Sequence, residues 1–166
     1  MLRPLVLTVS TFALLATPAA LPAEDWPSFR NEGRTGVSGE SGLQQSWEES
    51  QPKLLWMTEG VGGGFASVAV VDGRVYTSGN FSEGQGVVAV DAKDGRPLWK
   101  TTVTDAVPKH SYEGSRSTPT VDGDRLYVVT SDGQIACLQT VDGKLVWKRS
   151  FRQDWGGQMM SGWGYS

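Results

Sequence analysis

Between Ala66 and Ser150 the chain is written in short apolar runs, each four to eight residues long and each cut off by a turn signal. Runs rich in β-branched and aromatic residues at this length predict strands. They fall at Val68–Val71, Arg74–Ser78, Val87–Asp91 and Pro97–Val103, then at Thr118–Val121, Arg125–Thr130, Gln134–Gln139 and Lys144–Ser150. Asp-Gly pairs separate neighbouring runs at 72–73, 94–95, 122–123, 132–133 and 142–143. Glycine accepts positive φ, so such pairs favour tight hairpins and predict up-and-down antiparallel strands. No stretch sustains an amphipathic helical period.

The pattern repeats. ASVAVVDGRVYTSG (66–79) followed by GVVAVDAKDGRPLWK (86–100) aligns with STPTVDGDRLYVVTSDG (117–133) followed by QIACLQTVDGKLVWK (134–148). Trp99 and Trp147 stand 48 residues apart, and Trp56 precedes Trp99 by 43. Four strands per period of this length predict an all-β fold, a β-propeller of four-stranded antiparallel blades. Two blades are readable, 66–103 and 117–150, with residues 163–166 where a further blade would begin. Pro52–Gly60 reads like the last strand of a blade whose other three strands are not in this sequence, so Lys53–Thr58 is expected to be a closing strand. Val90 and Leu138, and Val75-Tyr76 and Leu126-Tyr127, hold matched places and are expected to pack between blades. Two blades alone would leave apolar sheet faces in water, so the chain is expected to be the opening part of a longer propeller, or to assemble with something.

The first 23 residues follow a different pattern. Arg3 gives a small positive start, Leu5–Ala16 form an apolar core, and small residues lead to Ala23 ahead of Glu24-Asp25. This is the layout of a cleaved export signal, and its core is short for a membrane span. The remainder is expected to be periplasmic or secreted, with no membrane anchor after cleavage, and residues 24–52 to form an extended segment. With 39% hydrophobic and 20% charged residues the composition is that of a globular protein. The formal charge of −3 and the lack of Lys/Arg runs argue against nucleic acid as a partner. Cys137 is the only cysteine, which excludes an internal disulfide and a two-cysteine metal or redox motif; within Gln134–Leu138 it reads as a buried thiol.

The blade ends carry a recognisable motif. Ala89, Asp91, Gly95 and Trp99 match Ala-x-Asp-x-x-x-Gly-x-x-x-Trp, with Asp94 where Thr often stands. The second copy keeps Gly143 and Trp147, while Cys137, Gln139 and Asp142 replace Ala, Asp and Thr. These residues, with the opening DWPSFRNEGRTGVSGE (25–40), resemble the pyrrolo-quinoline quinone (PQQ)-like repeat family of β-propellers. The resemblance implies structural roles: Gly makes the turn and Trp docks between blades. It also implies that relatives fall into two function classes, assembly scaffolds and quinoprotein dehydrogenases that hold PQQ with calcium.

Functional residues on such scaffolds concentrate in loops. The connections Thr104–Arg116 and Arg152–Ser166, and a loop expected at Gly79–Gly86, should open on one face. Candidates there are His110, Tyr112, Glu113, Arg116, Asp154, Trp155 and Gln158. Arg116 could pair with a carboxylate-bearing ligand such as PQQ, and Trp155 or Trp163 could stack on a flat ring. No residue is assigned to a metal, and no catalytic motif is visible. Gly60-Val61-Gly62-Gly63-Gly64 lacks the Lys-Ser/Thr of a phosphate loop and leads into a strand, so a conformational role is expected. The favoured reading is a non-catalytic binding or assembly scaffold that takes a protein or small molecule at the propeller face. The alternative is a PQQ-dependent dehydrogenase of alcohols or sugars, with PQQ and calcium as cofactors.

Overall fold

A computed structural model describes residues 23–48, 51–107, 112–159 and 161–166. Residues 1–22 of the expected export signal, and His110, lie outside the described residues. Among the described residues eight strands form two four-stranded sheets, each strand antiparallel to its neighbour. The first sheet holds β1 (Ala69–Val71), β2 (Arg74–Phe81), β3 (Gly84–Asp91) and β4 (Pro97–Thr104) in that order. The second holds β5 (Thr120–Asp122), β6 (Arg125–Val129), β7 (Gln134–Gln139) and β8 (Leu145–Ser150). At the first hairpin Asp72 and Gly73 both take positive φ, 50° and 69°, as a two-residue turn matched to strand twist requires.

The two sheets share one irregularity and one turn design. A register shift between β3 and β4 at Ala89/Val90 matches the one between β7 and β8 at Cys137/Leu138, while a further shift at Gln85/Gly86 belongs to the first sheet alone. The turn after each third strand is built alike: Gly95 N–H donates to Asp91 O at 2.8 Å, and Gly143 N–H to Gln139 O at 2.9 Å. Asp94 and Asp142 accept the N–H two residues on, from Arg96 and Lys144, both at 3.0 Å. A carboxylate thus does there what a threonine hydroxyl would do.

The sheets meet through a shared core of Ala69, Tyr76, Val87, Ala89 and Val103 from the first and Val121, Leu126, Val128, Ala136 and Leu138 from the second. Val90 is buried as well, as is the Cys137 thiol. The indole of Trp99 lies over Gly143 and donates to Thr140 O at 3.0 Å. Thr101 Oγ1 donates to Gly143 O at 2.7 Å, and Lys148 Nζ to Val103 O at 2.9 Å. Trp56 repeats the arrangement on the first sheet: it covers Gly95 and donates to Ala92 O at 2.9 Å. Residues 53–58 have no ladder partner among the described residues, although Trp56 sits as a blade's last strand would place it.

Two expectations need correction. The segment Gly79–Gly86 is not a loop: β2 runs on to Phe81 and β3 starts at Gly84, leaving Ser82-Glu83 as the turn. Its glycines are there for close packing. A Cβ on Gly79 would come within 2.7 Å of Gly62, and one on Gly86 within 2.2 Å of Thr101 O. The Arg152–Ser166 connection also contains a helix, α1 (Phe151–Trp155), too short to leave a period in the sequence.

The segment before the blades is a strap over both. Trp26 exchanges backbone hydrogen bonds with Val70 at 2.7 and 2.9 Å, and Pro27 O accepts from Val121 N–H at 2.8 Å. One dipeptide therefore ties β1 to β5.

Trp99→Ala should cost about 3 kcal/mol, the usual range for truncating a packed aromatic. Gly143→Ala, whose Cβ would lie 2.4 Å from the Trp99 ring at a φ of +71°, should also destabilise the fold. Urea midpoints read both, and a shift for Trp99→Ala alone would remove the docking account. Burial also raises the Tyr76 phenol above its ordinary 10, against a smaller opposing effect of Arg74. The unfolded phenol then ionises first, so this contribution is complete below pH 10 and is lost as pH rises through the higher folded value. Replacing Tyr76 with Phe should flatten the alkaline fall in stability, measured by urea unfolding at successive pH values.

Candidate functional site

The segments leading into successive inner strands run side by side. Phe65 N–H donates to Ser115 O at 2.7 Å, and Gly63 exchanges two bonds with Asn80, each 2.8 Å. Gly62 and Gly64 carry positive φ, and a Cβ on Gly64 would lie 2.5 Å from Ser115 O. The glycine run therefore serves close backbone approach, as its sequence suggested. The Oγ atoms of Ser78 and Ser115 lie 2.5 Å apart, and Ser78 Oγ donates to Ser117 O at 2.6 Å. Deeper in, Gln85 is fully buried and bridges the sheets, donating to Ser131 Oγ at 3.0 Å and accepting Ser131 N–H at 2.6 Å. These bonds fix the backbone beneath the loop face.

On that frame stands an aromatic cleft of about 350 Å³, lined by Phe65, Tyr112, Arg116 and Trp163. Tyr112 and Trp163 stack with centroids 5.2 Å apart and 27° between planes, and Phe65 meets Tyr112 edge-on at 6.1 Å. The three rings stay 66%, 54% and 50% exposed in chain order. Arg116 is held by its own loop, donating to Tyr112 O and to Gly114 O. A planar ligand could stack here beside a fixed cation.

Arg116 also lines a second pocket, of about 420 Å³, on the strap side. Its polar lining is Ser28, Arg34, Arg116, Ser117, Thr118 and Thr120, with Phe29 and Ser166 completing the rim. The strap folds tightly there: Arg30, Asn31 and Arg34 take φ of 64°, 64° and 56°. Left-handed backbone costs a non-glycine residue about 1–2 kcal/mol, so this turn is held by its surroundings. Gly36 N–H donates to Arg30 O at 2.9 Å and Ser28 Oγ to Asn31 O at 3.0 Å.

Of the residues the sequence pointed to, Tyr112 and Arg116 come together, and Trp163 is the indole that joins them. Trp155 lies on α1 against Phe151, ring centroids 5.8 Å apart, and does not line the cleft. Asp154 accepts Ser150 N–H at 2.6 Å, closing the first turn of α1 while Ser150 Oγ accepts from Gln153 N–H. Glu113 and Gln158 are exposed and line neither cavity. The motif residues are structural in placement: Ala89 is in the core, Asp91 accepts Lys93 N–H at 2.8 Å, Gly95 and Gly143 lie under indoles, and Trp147 is 38% exposed beside Tyr127. Phe65 and Arg34 were not singled out from sequence. The available signals were an aromatic directly after a glycine run for Phe65 and an arginine within the opening segment for Arg34.

The chain belongs to the PQQ-like repeat family: the family model described as outer membrane protein assembly factor BamB matches residues 25–161. It is similar to the quinoprotein ethanol dehydrogenase of Pseudomonas putida, 32% identical over 103 residues, covering 60% of this chain and 16% of that protein. It is also similar to the assembly factor BamB of Pseudomonas aeruginosa, 38% identical over 68 residues, covering 38% of this chain and 17% of the relative. The quinohemoprotein alcohol dehydrogenase structure from Comamonas testosteroni aligns with a TM-score of 0.57 at 23% identity, over 78% of this chain and 20% of that one. That likeness establishes the fold, a β-propeller of which the two sheets are blades. The chain spans a fifth or less of the length of each of these proteins.

Replacing Asp154 with Ala removes the carboxylate that caps α1 and should cost about 1 kcal/mol, as loss of a helix cap does. Hydrogen exchange at the Ser150 amide should quicken accordingly; unchanged exchange would deny Asp154 the capping role.

Proposed function

We propose that this chain is part of an exported propeller, periplasmic or secreted, that acts as a binding or assembly scaffold. The observation that carries the reading is the cleft of Phe65, Tyr112, Arg116 and Trp163. Trp, Tyr and Arg are the residue types that dominate binding energy at interfaces, and here Tyr112 and Trp163 stand exposed with Arg116 half-buried beside them, on a frame of hydrogen-bonded loops. The similarity to an outer membrane assembly factor supports the same reading. Lys53–Thr58 would close the ring, with Trp56 docked on the first blade as Trp99 is on the second.

A second reading has its own support, the similarity to a quinoprotein ethanol dehydrogenase. Arg116 fits a carboxylate of PQQ, and Tyr112 and Trp163 suit its flat ring system. Among the described residues no group of three His, Cys, Asp or Glu is placed to hold calcium. The residues present would thus bind and orient the quinone, which when bound supplies the redox chemistry.

Incubating the full chain with PQQ and Ca²⁺, then following dye reduction with alcohols and sugars, tests both. The scaffold reading expects no turnover. Saturable PQQ binding with dye reduction that Arg116→Ala abolishes would replace it with the dehydrogenase.

A further inference from the structure

We infer that cleavage of the export signal after Ala23 creates an ion pair between the new α-amino group of Glu24 and the Glu40 carboxylate, and that this pair locks the two arms of the strap together. The contact is already formed in the folded chain: Glu24 N–H donates to Glu40 Oε1 at 2.9 Å. It is reciprocal, since Gly39 N–H donates back to Glu24 Oε2, also at 2.9 Å. The two bonds join positions 16 and 15 residues apart. They close the hook whose turn holds Arg30, Asn31 and Arg34 at positive φ.

Charge explains why an amine suits this place better than an amide. The bonds bring the Glu24 and Glu40 carboxylates close to one another, and like charges repel. Among the described residues neither is paired with a lysine or arginine. While residue 24 is joined to Ala23, its nitrogen is a neutral donor with one proton. Hydrolysis of the Ala23–Glu24 bond adds the hydroxyl of water to the Ala23 carbonyl carbon and a proton to the Glu24 nitrogen. The freed α-amine is mostly protonated in neutral solution. The same donor then carries a positive charge, and a charge-assisted bond to a carboxylate is about twice as strong as a neutral one. Ala23 and Glu24 are both exposed, so the bond to be cut is open to a protease even in the folded chain. The residues that follow are pinned: Asp25 Oδ1 accepts Asp72 N–H at 3.2 Å, and Trp26 pairs with Val70. A cut elsewhere misplaces the amine, because keeping even Ala23 moves it by one Cα spacing, about 3.8 Å.

The lock presupposes export, as proposed above, and the two fail separately. When the whole sequence is expressed in a Gram-negative host, the mass of the exported chain should place its first residue at Glu24. Amide exchange at Gly39 then reads the lock. In the chain beginning at Glu24 it should be about threefold slower than in a chain that keeps Ala23, in keeping with an exposed ion pair. Glu40→Gln in the chain beginning at Glu24 should abolish that protection, and added salt should shrink it. All three chains should melt alike, since the pair lies at the surface. A leader that is never removed would sink the export reading and the lock with it. A leader cut at another residue, or equal Gly39 exchange in all three chains, would sink the lock alone and leave export standing.

Discussion

The contact on which the two-sheet arrangement depends is an indole laid on a glycine of the neighbouring sheet. Trp99 needs the space above Gly143, and its N–H needs Thr140 O at 3.0 Å. The turn must present both at once, which is why the spacing from carbonyl to glycine is the same at Ala92/Gly95 and Thr140/Gly143. The indole buries a large apolar face and satisfies its one donor in the same contact, so orientation and stability come from a single side chain. Tyr76 packs beside Trp99, ring centroids 5.9 Å apart, and extends the contact into the core.

From that contact outward, the sheets fix the segments between them, and those segments fix the functional face. Gln85 and Ser131 join the blades below the loops, and Gly62 and Gly64 lie against Gly79 and Ser115 without room for a Cβ. Phe65 directly follows Gly64, Tyr112 precedes Ser115 by three residues, and Trp163 stands two before Tyr165, whose N–H donates to Ser131 O at 3.0 Å. Side chains on irregular backbone thereby gain the precision of side chains on strands. Arg116 sits where the aromatic cleft and the strap pocket adjoin, and its two bonds to its own loop hold it in common to both.

Much of the fold was legible because blades impose a period. Trp99 and Trp147 mark it, and the Asp-Gly pairs divide it into strands of nearly the observed length. The hairpin ends were misread where Gly79, Gly84 and Gly86 looked like loop residues; they are glycines because neighbouring backbone occupies the place of a Cβ, a reason that only the third dimension shows. The site was half legible. Arg116 and Tyr112 stood out as polar and aromatic residues in a long connection. Phe65 and Arg34 did not, because the glycine run and the strap have no repeat to set their side chains against. Trp155 and Asp154 were drawn into α1, whose five residues carry no readable period.

The strap also bears on the order of events as the chain is made. Trp26 and Pro27 are synthesised early, yet their partners are Val70 and Val121. Contacts so distant in sequence cannot form until the intervening loop is closed. The bond at Pro27 therefore has to wait until β5 of the second blade exists to supply it, whereas Trp26 needs only β1. Until β5 has been made, Pro27 O lacks the N–H that it accepts in the folded chain.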